Sequence, residues 1–327
     1  MAGMSPLGSY LEWQHAQVST PRPVLADVVR RAVGSEIDRI ERIVEGYSNE
    51  VYRVRCADAQ DVVIRIPRFD DAPSPAASQG EARAIEGARA AGVPVPEILL
   101  LDTVRIDGAE LPVMVQRTVP GRPLGDVIDG LSRRQRHDVL TEIGELIARI
   151  NGIDVEHPLD WPTAMSADLA NRQANRDRIL AGGFSAPEFD RMLGLLQGYV
   201  RDHPCERWVL CHGDLGPKHI FVSGDDADGA AVRVSGIIDF GDWKPGPPVH
   251  DLAVLRVRGP LLELSPLLAG YGAPTGTAYR RQLDLHTLII ALGSLEIGVD
   301  ENDHACIERS RRQIRRIVGD LDNPSST

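Results

Sequence analysis

Residues 210–222 read LCHGDLGPKHIFV. The apolar run WVLC (208–211) ends in His212-Gly213-Asp214, and a second apolar run opens at Ile220. Asp214 therefore stands in a loop just past a buried strand, with His219 five positions further on. A third strand-like stretch, AVRVSGIIDF (231–240), delivers another carboxylate, Asp239, at its own end, ahead of Phe240 and Gly241. Two aspartates on loops joined by a hairpin can face one another closely. Asp is also common after strands for turn reasons alone, so either aspartate by itself carries little. Taken in order, the pair fits phosphoryl transfer, which needs one carboxylate near an acceptor hydroxyl and a second holding a divalent metal against phosphates.

Upstream, the chain reads as sheet, break and helices. PRPVLADVVRRAVG has helical apolar spacing and a Gly stop at Gly34. Strands are expected over 37–46, 50–56 and 61–67, followed by a helix closing at Gly92. Two further strands flank the turn DGAE (107–110), giving a sheet of about five strands with one inserted helix. VPGRPL (119–124) is a Pro/Gly break that reads as a hinge. Beyond it, SRRQRHDVLTEIGELIARIN is an amphipathic helix opened by Ser132, and helices are expected near 166–181, 186–202 and through most of the remainder. GDDADG (224–229) lacks the later Glu of a calcium loop and reads as a hairpin turn. Two units follow, 1–116 and 117–327.

The totals narrow the class. A chain of 327 residues is too long for one core and suits two lobes. Its net charge of −11 argues against a nucleic-acid surface. No apolar run is read as long enough for a membrane helix, and the N-terminus shows no basic-then-apolar leader. Cys56, Cys205, Cys211 and Cys306 are scattered and read as reduced thiols of a cytoplasmic protein. His203, Cys205, Cys211 and His212 match no usual zinc spacing.

Over nearly its whole length the chain resembles the antibiotic phosphotransferases, whose fold is like that of protein kinases. The resemblance rests on HGDLGPKH, IDFGD and the sheet–hinge–helix layout. It implies an α+β fold of two lobes, an antiparallel sheet lobe binding nucleotide and a larger helical lobe binding the acceptor. It implies ATP or GTP as phosphate donor and Mg²⁺ as metal. Carried over residue by residue, Asp214 orients or deprotonates the acceptor hydroxyl and Asp239 binds metal. His219 occupies the place of the metal-binding amide. EGYSNEVYRV sits where a nucleotide-covering loop belongs, but Gly46 is its only glycine; Ser48 and Asn49 are the candidate phosphate contacts. Arg65, in VVIRI, replaces the lysine that reaches the phosphates, and Glu81 stands at the position of that residue's helix partner. An Arg65–Glu81 surface pair is the plain alternative. Arg68 reads as a solvated charge. VMVQRTVPGRPL resembles the interlobe linker, with main-chain groups near Arg117 and Val119 meeting the nucleobase. Asp251 resembles a brace for the catalytic loop, or an N-cap; no role follows for Asp242.

VIRIPRFDD and His219 resemble macrolide phosphotransferases in particular. The acceptor expected is a small hydroxylated molecule of macrolide or aminoglycoside type, or another small-molecule alcohol; a non-catalytic nucleotide-binding module is the remaining alternative. An aminoglycoside would need clustered carboxylates. Glu296, Asp300, Glu301 and Asp303 in EIGVDENDH could form such a cluster or a solvated loop between helices.

Overall fold

A computed structural model of the protein describes residues 12–44, 49–68, 75–224 and 231–322. Helix α1 (Arg22–Val33) buries Leu25, Val28 and Val29, whose spacing sets them on one face. That face covers one side of a sheet formed by β1 (Ile37–Ile43), β2 (Asn49–Cys56), β3 (Val62–Pro67), β4 (Ile98–Ile106) and β5 (Ala109–Arg117). Every pairing is antiparallel, in the order β1-β2-β3-β5-β4. The first strand stops at Ile43, short of the expected 46. Alternation is plain in β2, where Tyr52, Val54 and Cys56 point inward between exposed arginines.

Between β3 and β4 runs α2 (Pro75–Ala90). Its Ala84, Ile85 and Ala88 join Met114 of the sheet to Leu140, Ile143, Ile237 and Phe240 of the helical half in one buried cluster. The two halves therefore share apolar surface through α2, and this cluster lies directly beneath the loops carrying the two aspartates.

The expected hinge is more than a linker. Arg122–Pro123 forms a two-residue strand, β6, pairing with Val222 and Phe221. It extends the hairpin of β8 (Ile220–Ser223) and β9 (Arg233–Ile237), so the crossover between the halves is fastened to the site itself. The expected turn at GDDADG falls largely outside the described residues.

The helical half comprises α3 (Leu124–Val127), α4 (Arg133–Ile150), α5 (Trp161–Ala174), α6 (Arg176–Ala181), α7 (Ala186–Asp202), α8 (His250–Arg258), α9 (Leu264–Tyr271), α10 (Thr277–Asp300) and α11 (His304–Asp322). Short strands β7 (Val209–Cys211) and β10 (Lys244–Gly246) pair antiparallel between them. Ser132 caps α4 reciprocally with Gln135, as its sequence predicts. A Cβ on Gly144 would sit 2.2 Å from the Leu267 carbonyl oxygen, so glycine lets α4 and α9 touch backbone to backbone.

Two sequence expectations change here. EIGVD is the end of α10, which runs to Asp300, and only the residues before α11 form the connection. Helix α10 is also long and apolar enough to span a membrane by length and composition, although no such run was read in the sequence. It is packed inside the protein: Leu285, Leu288, Leu292 and Leu295 are buried among Trp161, Phe189, Tyr199 and Ile317. A helix apolar on nearly all sides is the signature of a core position as much as of a membrane.

Candidate functional site

The site forms where β7, the β8–β9 hairpin and the start of α8 meet. Gly213 takes a φ of 87°, and a Cβ there would lie 1.9 Å from the Asp242 carbonyl oxygen. Only glycine allows this contact, which explains the middle residue of His212-Gly213-Asp214. His212 is fully buried, and its Nε2 donates to the Ile238 carbonyl at 2.9 Å, tying the loop after β7 to the end of β9.

Asp251, in the first turn of α8 and fully buried, holds the same loop from below. Its Oδ2 accepts from the His212 amide at 3.0 Å and from Asn151 Nδ2 at 2.9 Å; its Oδ1 accepts from the Gly213 amide at 3.1 Å. It makes no capping bond to its own helix, so the bracing position read in the sequence is the one it occupies. Asp251→Ala removes the acceptor of the His212 and Gly213 amides and one of the two acceptors of Asn151 Nδ2. At about 1.5–3 kcal/mol for each hydrogen bond to a charged group, it should lower stability by roughly 3–5 kcal/mol, allowing for partial relaxation. Urea unfolding checks this, and a loss below about 1 kcal/mol would contradict the brace.

His219 is buried and spans the two aspartates. Its Nδ1 lies 2.7 Å from the Asp214 carbonyl oxygen. A carbonyl only accepts, so Nδ1 carries the proton and Nε2 keeps its lone pair. Nε2 stands 3.5 Å from Asp239 Oδ2. Burial pushes the imidazole pKa down, against the opposing pull of Asp239, and the net shift is downward. The ring is therefore neutral near pH 7, with one nitrogen and one carboxylate converging. That donor set suits Mn²⁺ and, through the carboxylate, Mg²⁺.

Asp239 adopts a left-handed backbone, φ 67° and ψ 66°, rare outside glycine and a mark of functional strain. Its other oxygen, Oδ1, accepts from Arg65 Nη2 at 2.8 Å. Burial works to raise the Asp239 pKa, but Arg65 and then His219 outweigh it, and the net shift is downward. Arg65 Nη1 pairs with Glu81 of α2. The Arg65 side chain is only 10% exposed, so the pair is interior rather than on the surface. Burial alone would lower the Arg65 pKa; Glu81 and Asp239 reverse that and raise it.

Asp214 Oδ1 forms an ion pair with Arg258 Nη2 at 2.7 Å. Asp242 follows in the turn after Asp239, and its pKa is raised, by burial first and then by Asp214 and Asp239. Three carboxylates thus share one field. Neither Arg258 nor Asp242 was assigned from sequence. For Arg258 a signal existed: it lies two helical turns after Asp251, on the same face of α8.

The remaining expected contacts are mixed. Ser48 and Gly46 lie outside the described residues. Asn49 opens β2 opposite Pro67. The Arg117 amide is occupied by the Glu97 carbonyl at 2.9 Å, whereas the Val119 amide makes no hydrogen bond among the described residues. Arg68 is not solvated. Its side chain is 9% exposed and lies 4.0 Å from fully buried Glu50 and 3.7 Å from Asp107. The reason is Glu50, which also accepts from Thr20 Oγ1 at 2.7 Å and forms an ion pair with Arg42 Nη2 at 3.2 Å. A buried carboxylate collects cations. All four cysteines are free. Within EIGVDENDH, Glu296 lies 3.6 Å from Arg172, Asp300 3.0 Å from Arg178, and Asp303 caps α11, while Glu301 stays near enough to Asp303 and Asp300 that, after burial, they raise its pKa.

A sheet lobe, a helical lobe and facing aspartates on two loops between them describe a kinase-like phosphotransferase. Residues 39–285 match the Phosphotransferase enzyme family, and the chain belongs to it. Acyl-CoA dehydrogenase family member 10 of Mus musculus is 26% identical over 257 residues, covering 74% of this chain but only 23% of that protein. The chain thus spans about a quarter of that relative's length. Among solved structures, wild-type aminoglycoside 2′-phosphotransferase-IIIa in its GDP complex superposes with a TM-score of 0.64 at 18% identity, covering 92% of this chain and 99% of that one. Macrolide 2′-phosphotransferase MphH of Brachybacterium faecium gives 0.56 at 21% identity, covering 90% and 98%. At such identities the likeness is one of fold.

Proposed function

We propose that the protein transfers the γ-phosphoryl group of ATP or GTP to a hydroxyl of a small molecule. The observation that carries this is the His219 bridge: one imidazole reaches the Asp214 backbone at 2.7 Å and the Asp239 carboxylate at 3.5 Å. It ties the backbone of Asp214 to the carboxylate of Asp239, the two residues that this reading gives to the acceptor hydroxyl and to the metal-bound phosphates.

In this reading Asp214 takes the proton of the acceptor hydroxyl. The acceptor oxygen bonds to the γ-phosphorus, the bond from that phosphorus to the β–γ bridging oxygen breaks, and the nucleoside diphosphate departs. Arg65, fixed from behind by Glu81, places a permanent positive charge beside Asp239 and the phosphates. Asp239 and His219 are the residues to hold Mg²⁺, which would neutralise phosphate charge when bound. Val119, whose amide makes no hydrogen bond among the described residues, offers it to the nucleobase.

Arg65→Lys should retain appreciable turnover, because the charge survives, and Arg65→Ala should lose most of it. Equal rates in the two variants would exclude Arg65 from phosphate binding. The metal assignment is tested through His219. Because its pKa lies below the ordinary 6.5, metal affinity should hold steady above that pH and fall as protons displace the metal at lower pH. His219→Asn should flatten that fall and shift preference from Mn²⁺ toward Mg²⁺. The measurement is metal-dependent nucleotide turnover from pH 5.5 to 8; identical profiles in the two proteins would remove His219 from the metal.

A macrolide as acceptor is the second reading, favoured by R-I-P-R at Arg65–Arg68 and by a histidine at position 219. It is supported by those residues rather than by the fold, which aminoglycoside and macrolide enzymes share. Resistance profiling of a sensitive bacterium expressing the chain, on macrolide and aminoglycoside panels, tests it.

A further inference from the structure

Arg258, the ion-pair partner of Asp214, lines a cavity of about 470 Å³. It is walled by the loop Gly216–Lys218, the end of α8, and facing residues of α10 and α11. No residue of the five-stranded sheet lines it, and its link to the aspartates is Arg258, which lines the cavity and pairs with Asp214. Three of its lining side chains are cationic, Lys218, Arg258 and Arg309, and Asp126 is its one carboxylate among the described residues. Lys218 and Arg309 are exposed and pair with no carboxylate among the described residues. Arg258 spends one nitrogen on Asp214 Oδ1 at 2.7 Å and keeps further donors. A cationic cavity in a chain of net charge −11 is a local reversal of sign. Glu296 and Asp300, which would meet amines, are turned to Arg172 and Arg178 and do not line it.

We infer that the acceptor is a hydroxylated small molecule bearing an anionic group, a carboxylate or a phosphate, held by Arg309, Lys218 and Arg258. The inference rests on the phosphotransferase reading above. It selects against polyamines such as aminoglycosides, whose charge the cavity repels, and it leaves a macrolide amine without a dedicated partner. Arg258 also acts as a positioning residue, because it touches both the cavity and the carboxylate that meets the acceptor hydroxyl. The transfer itself is unchanged: the hydroxyl proton passes to Asp214 and the anionic group takes no part in bond making.

The test uses one six-carbon polyol skeleton with four terminal groups: gluconate, sorbitol 6-phosphate, sorbitol and 1-amino-1-deoxysorbitol. Kanamycin and erythromycin are included. Phosphorylated product and ADP are followed together on the full chain with Mg²⁺–ATP. The expected result is highest kcat/KM for gluconate or sorbitol 6-phosphate, and their ratio tells carboxylate from phosphate. Arg309→Gln should raise KM for the preferred anion about tenfold, the size of one charge-assisted hydrogen bond, with kcat changed far less. Arg309→Lys should recover most of that, and Arg309→Glu should move preference toward the amine. Highest kcat/KM for sorbitol, the amine, kanamycin or erythromycin would overturn the inference. So would an unchanged preference in Arg309→Glu, or turnover of none of these probes while ATP hydrolysis persists; each of these leaves the phosphotransferase reading standing. Failure to bind or turn over either ATP or GTP overturns that reading and this inference with it.

Discussion

Asp214→Asn should lower kcat by about 10²- to 10⁴-fold, the range a positioned general base contributes. The substitution keeps the shape of the side chain and removes its capacity to accept a proton. The loop should survive it, because its backbone is held by Asp251 and His212 rather than by the Asp214 carboxylate. Arg258 would lose its carboxylate partner, but that guanidinium is partly exposed, so water can replace part of the contact. Nucleotide affinity should change little, since Arg65, Asp239 and Val119 are untouched. Retention of more than half the wild-type kcat would end the assignment.

Asp239→Ala should act on binding as well as on rate. Asp239 Oδ1 holds Arg65 and Oδ2 faces His219 Nε2, so one change removes a metal ligand and frees a buried arginine that retains only Glu81. The fall in metal–nucleotide affinity should exceed the roughly 10- to 100-fold that loss of an outer-shell partner costs. Calorimetric titration with Mg²⁺–ATP and Mg²⁺–GTP gives the number. Unchanged affinity would move the metal elsewhere, with Asp242, already sharing the field of both aspartates, the next residue to examine.

The sheet and the two aspartate loops were legible because they follow local rules. Strands β2 and β3 alternate or run apolar between turn residues, and both Asp214 and Asp239 close apolar runs. Arg65 and Glu81 were paired through the family resemblance, and the structure sets them together in the interior. What escaped depends on distant partners. Arg68 reads as a surface charge until Glu50, brought in by strand pairing, supplies a buried counter-charge. Arg258 belongs to no motif; its helical spacing from Asp251 puts it on the right face, but the packing of α8 beneath the loop is what carries it to Asp214. EIGVD reads as a polar connection because its acidic residues are visible, whereas the arginines of α5 and α6 that keep it helical and paired are more than a hundred positions away in the chain. The charge of the acceptor cavity has the same origin: Lys218, Arg258 and Arg309 come from three separate segments that only the fold assembles.

The central claim is that a γ-phosphoryl group moves from nucleotide to an acceptor oxygen at Asp214. Phosphorus-31 NMR of the protein with Mg²⁺–ATP and the six acceptors named above tests it most directly. The account predicts a phosphomonoester resonance growing at the rate the γ-phosphate signal declines, and its disappearance in Asp214→Asn under conditions where that variant still binds ATP. Tight nucleotide binding with a γ-phosphate signal that persists unchanged against every acceptor would contradict it, and would make the protein a nucleotide-binding module without transfer.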